Sequence, residues 1–208
     1  MYEIALSAFL ALFVIIDPIG NAPIFATLTQ GTDNKHRRVM AIKGPIVAMV
    51  ILAGFAWFGS DLLGLLGISL SAFKIAGGLM LAVIAFEMVF EKRNTRKTKN
   101  AEELTKVTDP DDISVCPIAI PLLAGPGSIA TVMLLMGKHH DDLSSQFAVI
   151  GALAVVLIIC IILYLLAGLV ERFIGQTISS VITRLLGVIL AALSVQFVTD
   201  GLKQIFMP

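Results

Sequence analysis

One carboxylate lies in the middle of a long apolar stretch. Asp17 is the only ionisable residue near the centre of the run FVIIDPIGNAPIF (13–25). A carboxylate at the centre of a membrane span costs roughly 2.5–3.5 kcal/mol even on the lenient insertion scale, so it should face the protein interior. There it could carry a proton, bind a cation or an ammonium group, or only cap a helix that restarts at Pro18. The sequence leaves these roles open.

A second proline and glycine cluster interrupts a later apolar run, CPIAIPLLAGPGSIATV (116–132). Proline removes an intrahelical hydrogen bond, so each run should contain a broken helix. The freed backbone groups cost several kcal/mol unless they face protein or a polar cavity. A restarted helix offers N–H groups and a positive dipole end, which suit a carboxylate.

We therefore predict a substrate site where the two breaks meet, near the membrane midplane. Asn21 and Ser128, each directly after a glycine, are predicted to begin the inner half-helices. The predicted helix-breaking residues are Pro18, Pro23 and Pro126. The predicted substrate-binding residues are Asp17, Gly20, Asn21, Gly125, Gly127 and Ser128.

The composition excludes a soluble globule. Of 208 residues, 57% are hydrophobic and 14% charged, and the mean hydropathy is +0.93. A spanning helix needs about 20 mostly apolar residues, so the length fits six spans with short connections. The apolar stretches are 4–29, 40–62, 71–90, 113–137, 146–169 and 180–205. We predict an all-α integral membrane protein whose bulk partner is the lipid bilayer; the zero net charge argues against nucleic acid.

The charged residues concentrate between these stretches. Residues 91–112 hold 12 of the 30 charges and few apolar side chains. We predict a solvated cytoplasmic linker there, joining a first three-helix repeat (1–90) to a second (113–208) within one transmembrane domain.

The two halves show sparse internal similarity. A shift of 107 residues pairs Gly20 with Gly127 and Asn21 with Ser128, and a slip by one instead pairs Pro18 with Pro126. Repeats with an odd number of spans must be inverted, and inverted repeats with matching helix breaks are typical of secondary transporters.

The sequence gives little support for a metal site or an enzyme active site. Cys116 and Cys160 lie in apolar runs, and the histidine-rich run at 139–142 is best explained as a solvated loop, so no metal site is expected. No nucleophile elbow, HExxH or P-loop motif occurs, so we expect no enzyme and no cofactor beyond a coupling proton or sodium ion. The small pairs Gly78 with Ala82 and Gly187 with Ala191 are assigned to close helix packing.

The segments DPIGNAP (17–23) and AGPGSI (124–129), in a chain of six spans, resemble the MarC family of bacterial and archaeal inner-membrane proteins. The resemblance covers essentially the whole chain. It implies six helices with both termini outside, and transport of a small neutral, zwitterionic amino acid such as glycine or alanine, driven by an ion gradient. The family residues that it carries over are Asp17, Pro18, Gly20, Asn21, Pro23, Gly125, Pro126, Gly127 and Ser128.

Two alternatives remain beside a secondary transporter. A passive pore would favour a continuous polar stripe along a helix, and none is visible in the sequence. A non-transporting membrane protein that acts through partners would not need two breaks at mid-membrane. The sequence assigns no oligomeric state.

The charge distribution predicts the topology. Twelve of the 15 basic residues fall on the side of the linker and three on the other, which predicts that both termini lie outside the cell inner membrane, in the periplasm if the source is a Gram-negative bacterium. The topology can be tested with single cysteines introduced in the linker or at the C-terminus of a variant without Cys116 and Cys160. The two cysteines should differ in their accessibility to thiol reagents in intact cells. An impermeant thiol reagent should label only the C-terminal one, and equal labelling of both would refute the topology.

Overall fold

The computed structural model describes residues 2–105, 113–139, 142–167 and 175–206, and these are almost entirely helical. The helices are α1 (Tyr2–Ile16), α2 (Pro18–Leu28), α3 (Asn34–Leu65), α4 (Leu70–Val89), α5 (Lys92–Thr105), α6 (Pro126–Lys138), α7 (Leu143–Leu165) and α8 (Gly175–Phe206). An irregular stretch, here called the kinked segment (Ser114–Leu123), precedes α6.

The helices account for the predicted spans. In the described part of the chain, five helical stretches are long and apolar enough to cross a membrane, the first being α1 and α2 together. The kinked segment and α6, bent by 59° to each other, form a sixth if the bent pair is one span. The all-helical membrane architecture predicted from composition is therefore confirmed.

The kinked segment has a simple local cause. Cys116 and Ile120 have extended backbone angles, and each directly precedes a proline, Pro117 or Pro121. A residue before proline is pushed away from the α region, and the proline itself has no N–H to donate. Two such steps four residues apart prevent a regular helix, so the irregular part of this span begins well before Pro126.

The two interrupted spans lie at the centre of the molecule. Most residues of α6 from Gly127 to Met136 are buried, and α1 is buried from Val14 to its end. The longer helices surround them and direct large apolar side chains outward; examples are Val50, Phe58, Val83, Phe147, Leu185 and Val188. An apolar outer surface of this kind is what a lipid environment selects.

Part of the predicted linker is not solvated. Residues 92–105 form helix α5, in which Arg93 and Ala101 are buried and Lys97 is half-buried. These three residues recur every fourth position and so share one face of the helix. That face packs against α2, α4 and the kinked segment, which corrects the expectation of a fully solvated stretch. Residues 106–112 of the predicted linker lie outside the described residues.

Helices α4 and α8 pack against each other more extensively than any other described pair. A Cβ atom at Gly78 would lie 2.8 Å from the carbonyl oxygen of Ser194, and one at Gly187 would lie 2.8 Å from the Cβ of Met88. Both glycines therefore permit a close approach of the two backbones, as their small-residue spacing predicts.

This close approach can be tested with a matched pair of substitutions. Gly78→Ala should destabilise the protein by about 1–3 kcal/mol, because the added methyl group meets backbone atoms that cannot move aside. Gly151→Ala is the control, since a Cβ there meets nothing within 4 Å. Thermal unfolding of both purified variants in detergent measures the effect; equal stability would show that the α4–α8 contact is looser than described.

Candidate functional site

The first break is a single residue, Asp17. It is fully buried and adopts a left-handed conformation (φ 58°, ψ 65°), which aspartate tolerates better than most residues. Its Oδ1 accepts a hydrogen bond from the Gly20 N–H at 3.1 Å, so Asp17 caps α2. A Cβ at Gly20 would lie 2.3 Å from Asp17 Oδ2, so this cap requires a glycine there.

The second helix, α2, begins earlier than predicted. Helix α2 begins at Pro18, three residues before Asn21, and continues through Pro23. Pro18 thus stands at the first helical position, where its missing N–H costs nothing. Pro23 is an interior residue of α2 and does not break it.

The carbonyl groups around the first break find donors outside their own helix. Ile15 and Ile16 end α1, where the last carbonyls have no helical partner. The Ile15 oxygen accepts a hydrogen bond from an Arg93 Nη atom, and the Ile16 oxygen accepts one from Asn21 Nδ2 at 2.7 Å. The Ile19 oxygen has no helical donor, because Pro23, four residues on, has no N–H. Ser179 Oγ donates a hydrogen bond to this oxygen at 3.4 Å.

Asp17 has a second polar neighbour. Thr183 Oγ1, on α8, lies 3.5 Å from Asp17 Oδ1 and 3.4 Å from Oδ2. Thr183 is itself buried. The carboxylate is thus held from two sides, by the start of α2 and by α8.

The second break lies between the kinked segment and α6. Helix α6 begins at Pro126, with Gly125 as its N-cap, so Ser128 is an early residue of the helix and not its start. No side chain caps this end. A Cβ at Gly125 would lie 2.7 Å from the Pro121 carbonyl oxygen, so the turn requires a glycine. Ser128 is 4% exposed, and its hydroxyl has no hydrogen-bond partner among the described residues.

Lys97 connects the two breaks. Its Nζ donates to Asn21 Oδ1 at 2.9 Å, and its side chain also lines a cavity of about 340 Å³. We call this space the basic cavity; its polar lining comprises Arg93, Arg96, Lys97, Asn100 and Ser128, and its backbone lining includes Gly125 and Gly127. The three predicted residues of the second motif therefore face one cavity.

The first motif is placed differently. Asp17 and Asn21 are buried beside the basic cavity without lining it. Gly20 lines a second cavity of about 590 Å³, together with Ser179 and residues on the other face of α5. Helix α5 thus lines both cavities on opposite faces, and Lys97 links Asn21 of the first motif to the cavity formed by the second.

Sequence reasoning missed the cations of α5. Arg93 and Lys97 were assigned to a solvated stretch, yet Arg93 is 5% exposed. Burial lowers the pKa of the Lys97 ammonium well below its ordinary value; Arg93 lowers it further, and the Asp17 carboxylate raises it in part. The spacing of residues 93, 97 and 101 was the signal that one face of this segment could be buried.

No metal centre is evident in the part of the chain that the structure describes, where no three His, Cys, Asp or Glu side chains lie together. His140 and Asp141, from the histidine-rich run, lie outside the described residues. The candidate site is therefore a cationic cavity beside a buried carboxylate.

Comparisons with known proteins place the whole chain in one family. Residues 2–206 match the model of the MarC family integral membrane proteins. The chain is 35% identical to the UPF0056 membrane protein YvbG of Bacillus subtilis, with 99% of this chain and 97% of the relative covered. It is 40% identical to the UPF0056 membrane protein MJ1677 of Methanocaldococcus jannaschii, with 94% of each covered, and 32% identical to YhcE of Escherichia coli, with 95% and 91% covered.

No solved structure matches the chain. The region that matches the family model contains both interrupted spans and α5. The chain is therefore a multi-pass integral membrane protein of the MarC (UPF0056) family.

Proposed function

We propose that this protein is a secondary transporter of a small neutral amino acid such as glycine or alanine, driven by a proton or sodium gradient. The observation that carries the proposal is that Lys97, which donates to Asn21 at the first break, also lines a cationic cavity formed by the second break. Interrupted helices expose backbone polar groups at a cost, and such groups are tolerated in a membrane where they line a polar cavity. Transporter sites are built in this way.

The helix contacts support two inverted repeats. Helices α2 and α6 begin at Pro18 and Pro126, positions 108 residues apart (126 − 18), which is the slipped alignment of the two halves. If the halves are exchanged, the contact of α1 with α7 corresponds to that of the kinked segment with α3. The contact of α2 with α7 likewise corresponds to that of α6 with α3, and all four are observed. Helices α4 and α8, the last of each half, pack on each other.

The basic cavity suits a small solute. Its volume of about 340 Å³ is near the lower end of the range of small-molecule sites, about 300–1,000 Å³. Much of its wall is backbone, proline and short side chains, including Gly125, Gly127 and Ala101. These features favour a compact substrate over a drug-sized one.

Asp17 is the candidate coupling group. It is a buried carboxylate at a break, with Thr183 beside it and the cations of α5 nearby. A carboxylate in this setting can take up and release a proton or hold a sodium ion. The ammonium group of a substrate is a less direct ligand, because Asp17 does not line the basic cavity.

The direct test is uptake. Proteoliposomes containing the purified protein should accumulate labelled glycine or alanine, and an imposed proton or sodium gradient should drive the accumulation. Unlabelled glycine, alanine and serine should compete well, while lysine, glutamate and bulky drugs should compete poorly because of the cavity size. Uptake that does not saturate and does not depend on either gradient would indicate a passive pore. Equal competition by drug-sized compounds would contradict a small substrate site.

A pair of substitutions separates coupling from capping at Asp17. Asparagine keeps the capping ability and removes the charge, whereas alanine loses both and should cost about 1 kcal/mol of stability from the cap alone. We expect Asp17→Asn to fold and insert normally but to abolish gradient-driven uptake. Uptake by Asp17→Asn equal to that of the parent, at matched protein amounts, would reduce Asp17 to a structural cap.

A further inference from the structure

The basic cavity carries an excess of positive charge that nothing in its lining balances. Arg93, Arg96 and Lys97 all line it, and no Asp or Glu does so among the described residues. Arg96 forms an ion pair with Glu87, which stands outside the lining. Lys97 is hydrogen-bonded to the neutral amide of Asn21, and Arg93 contacts Met88 Sδ and a backbone carbonyl.

Only 5% of the surface of Arg93 is exposed. In the described residues neither Arg93 nor Lys97 is in direct ion-pair contact with a carboxylate. The nearby charged groups are Asp17 and Glu87, which act on Arg93 at longer range. A buried cation without a paired anion is costly, so this cavity favours an anionic guest.

The start of α6 adds donors to the lining of the same cavity. Pro126 has no N–H, and the Gly127 and Ser128 N–H groups precede the first full turn, where no helical acceptor exists. No side chain caps this helix end, which carries about half a positive charge. The Ser128 hydroxyl, on a residue 96% buried with 4% exposed, also lines the cavity without a partner.

We propose that the basic cavity binds the carboxylate group of the solute, between the start of α6 with Ser128 and the cations of α5. This inference rests on the proposed function, which supplies the transported solute. It adds which group of that solute is recognised and which residues recognise it. A carboxylate offers two acceptor oxygens, which match two backbone N–H groups or one N–H and one hydroxyl. Arg93 and Lys97 supply the positive charge.

The site also explains why α5 is cationic on its buried face. Arg93 and Lys97 each donate a hydrogen bond at the break between α1 and α2, and both side chains also line the cavity. Arginine has five N–H donors and lysine three, so each can hold the protein and a ligand together. A small carboxylate in the cavity would complete their coordination.

Binding can be measured without transport. The full-length protein in detergent is titrated with sodium acetate, with glycinamide hydrochloride and with sodium phosphate, each at constant ionic strength, and the unfolding temperature is followed. Acetate carries only the carboxylate, glycinamide lacks it, and phosphate is a larger oxyanion. We expect acetate to raise the unfolding temperature in a saturable way, glycinamide to leave it unchanged, and phosphate to act more weakly than acetate.

Two variants and one control locate the effect. Ser128→Ala removes a hydroxyl with no partner in the protein, so the fold should be intact, and it should weaken acetate binding by about tenfold. Arg96→Gln should weaken it through the lost charge. Lys99→Gln removes a lysine charge from α5 on an exposed residue that does not line the basic cavity, and it should bind acetate like the parent.

The outcomes separate this inference from the transport proposal. Saturable acetate binding that Ser128→Ala weakens, without any glycine uptake by the parent, would support the carboxylate site and contradict transport of glycine. Gradient-driven glycine uptake that acetate does not inhibit and Ser128→Ala does not alter would overturn the carboxylate site alone. Stronger stabilisation by phosphate or by glycinamide than by acetate would overturn it as well.

Discussion

The structure depends on how three backbone carbonyl groups are satisfied where the first span breaks. Ile15 and Ile16 end a helix in an apolar interior, and Ile19 faces a proline four residues on. Each oxygen receives a hydrogen bond from a side chain: Arg93, Asn21 and Ser179, in that order. Because unsatisfied carbonyls cost several kcal/mol in such surroundings, these three donors determine which parts of the chain must lie beside the break.

This constraint explains why the connecting segment is part of the core. Arg93 satisfies the end of α1 and Lys97 holds Asn21 in position, so α5 supplies groups that neither half contains in its own spans. Ser179 and Thr183 bring α8 to the same place, one to the Ile19 carbonyl and one to Asp17. The first break is thus maintained by residues about 75 and 160 positions further along the chain, consistent with a non-local site.

Local rules predicted the all-helical membrane spans. Apolar length identified the membrane helices, and the Asp17-Pro18 step marked the start of α2. The predicted starts at Asn21 and Ser128 were wrong by three and two residues. Those rules failed for Pro23, which α2 accommodates because Ser179 supplies the replacement donor. They also failed for α5, where a high density of charge concealed a buried face. Both errors have one cause: the compensating partner is remote in sequence, and composition carries no information about it.

The position of α5 has a consequence for the energetic balance of the molecule. Two inverted halves of equal structure would give inward-facing and outward-facing forms of equal free energy, related by exchange of the halves. Helix α5 follows the first half only, and it donates hydrogen bonds to Ile15 and Asn21 at the first break. In the proposed transporter with two inverted halves, these two contacts of α5 would make the two forms unequal in free energy and would favour one of them in the empty protein.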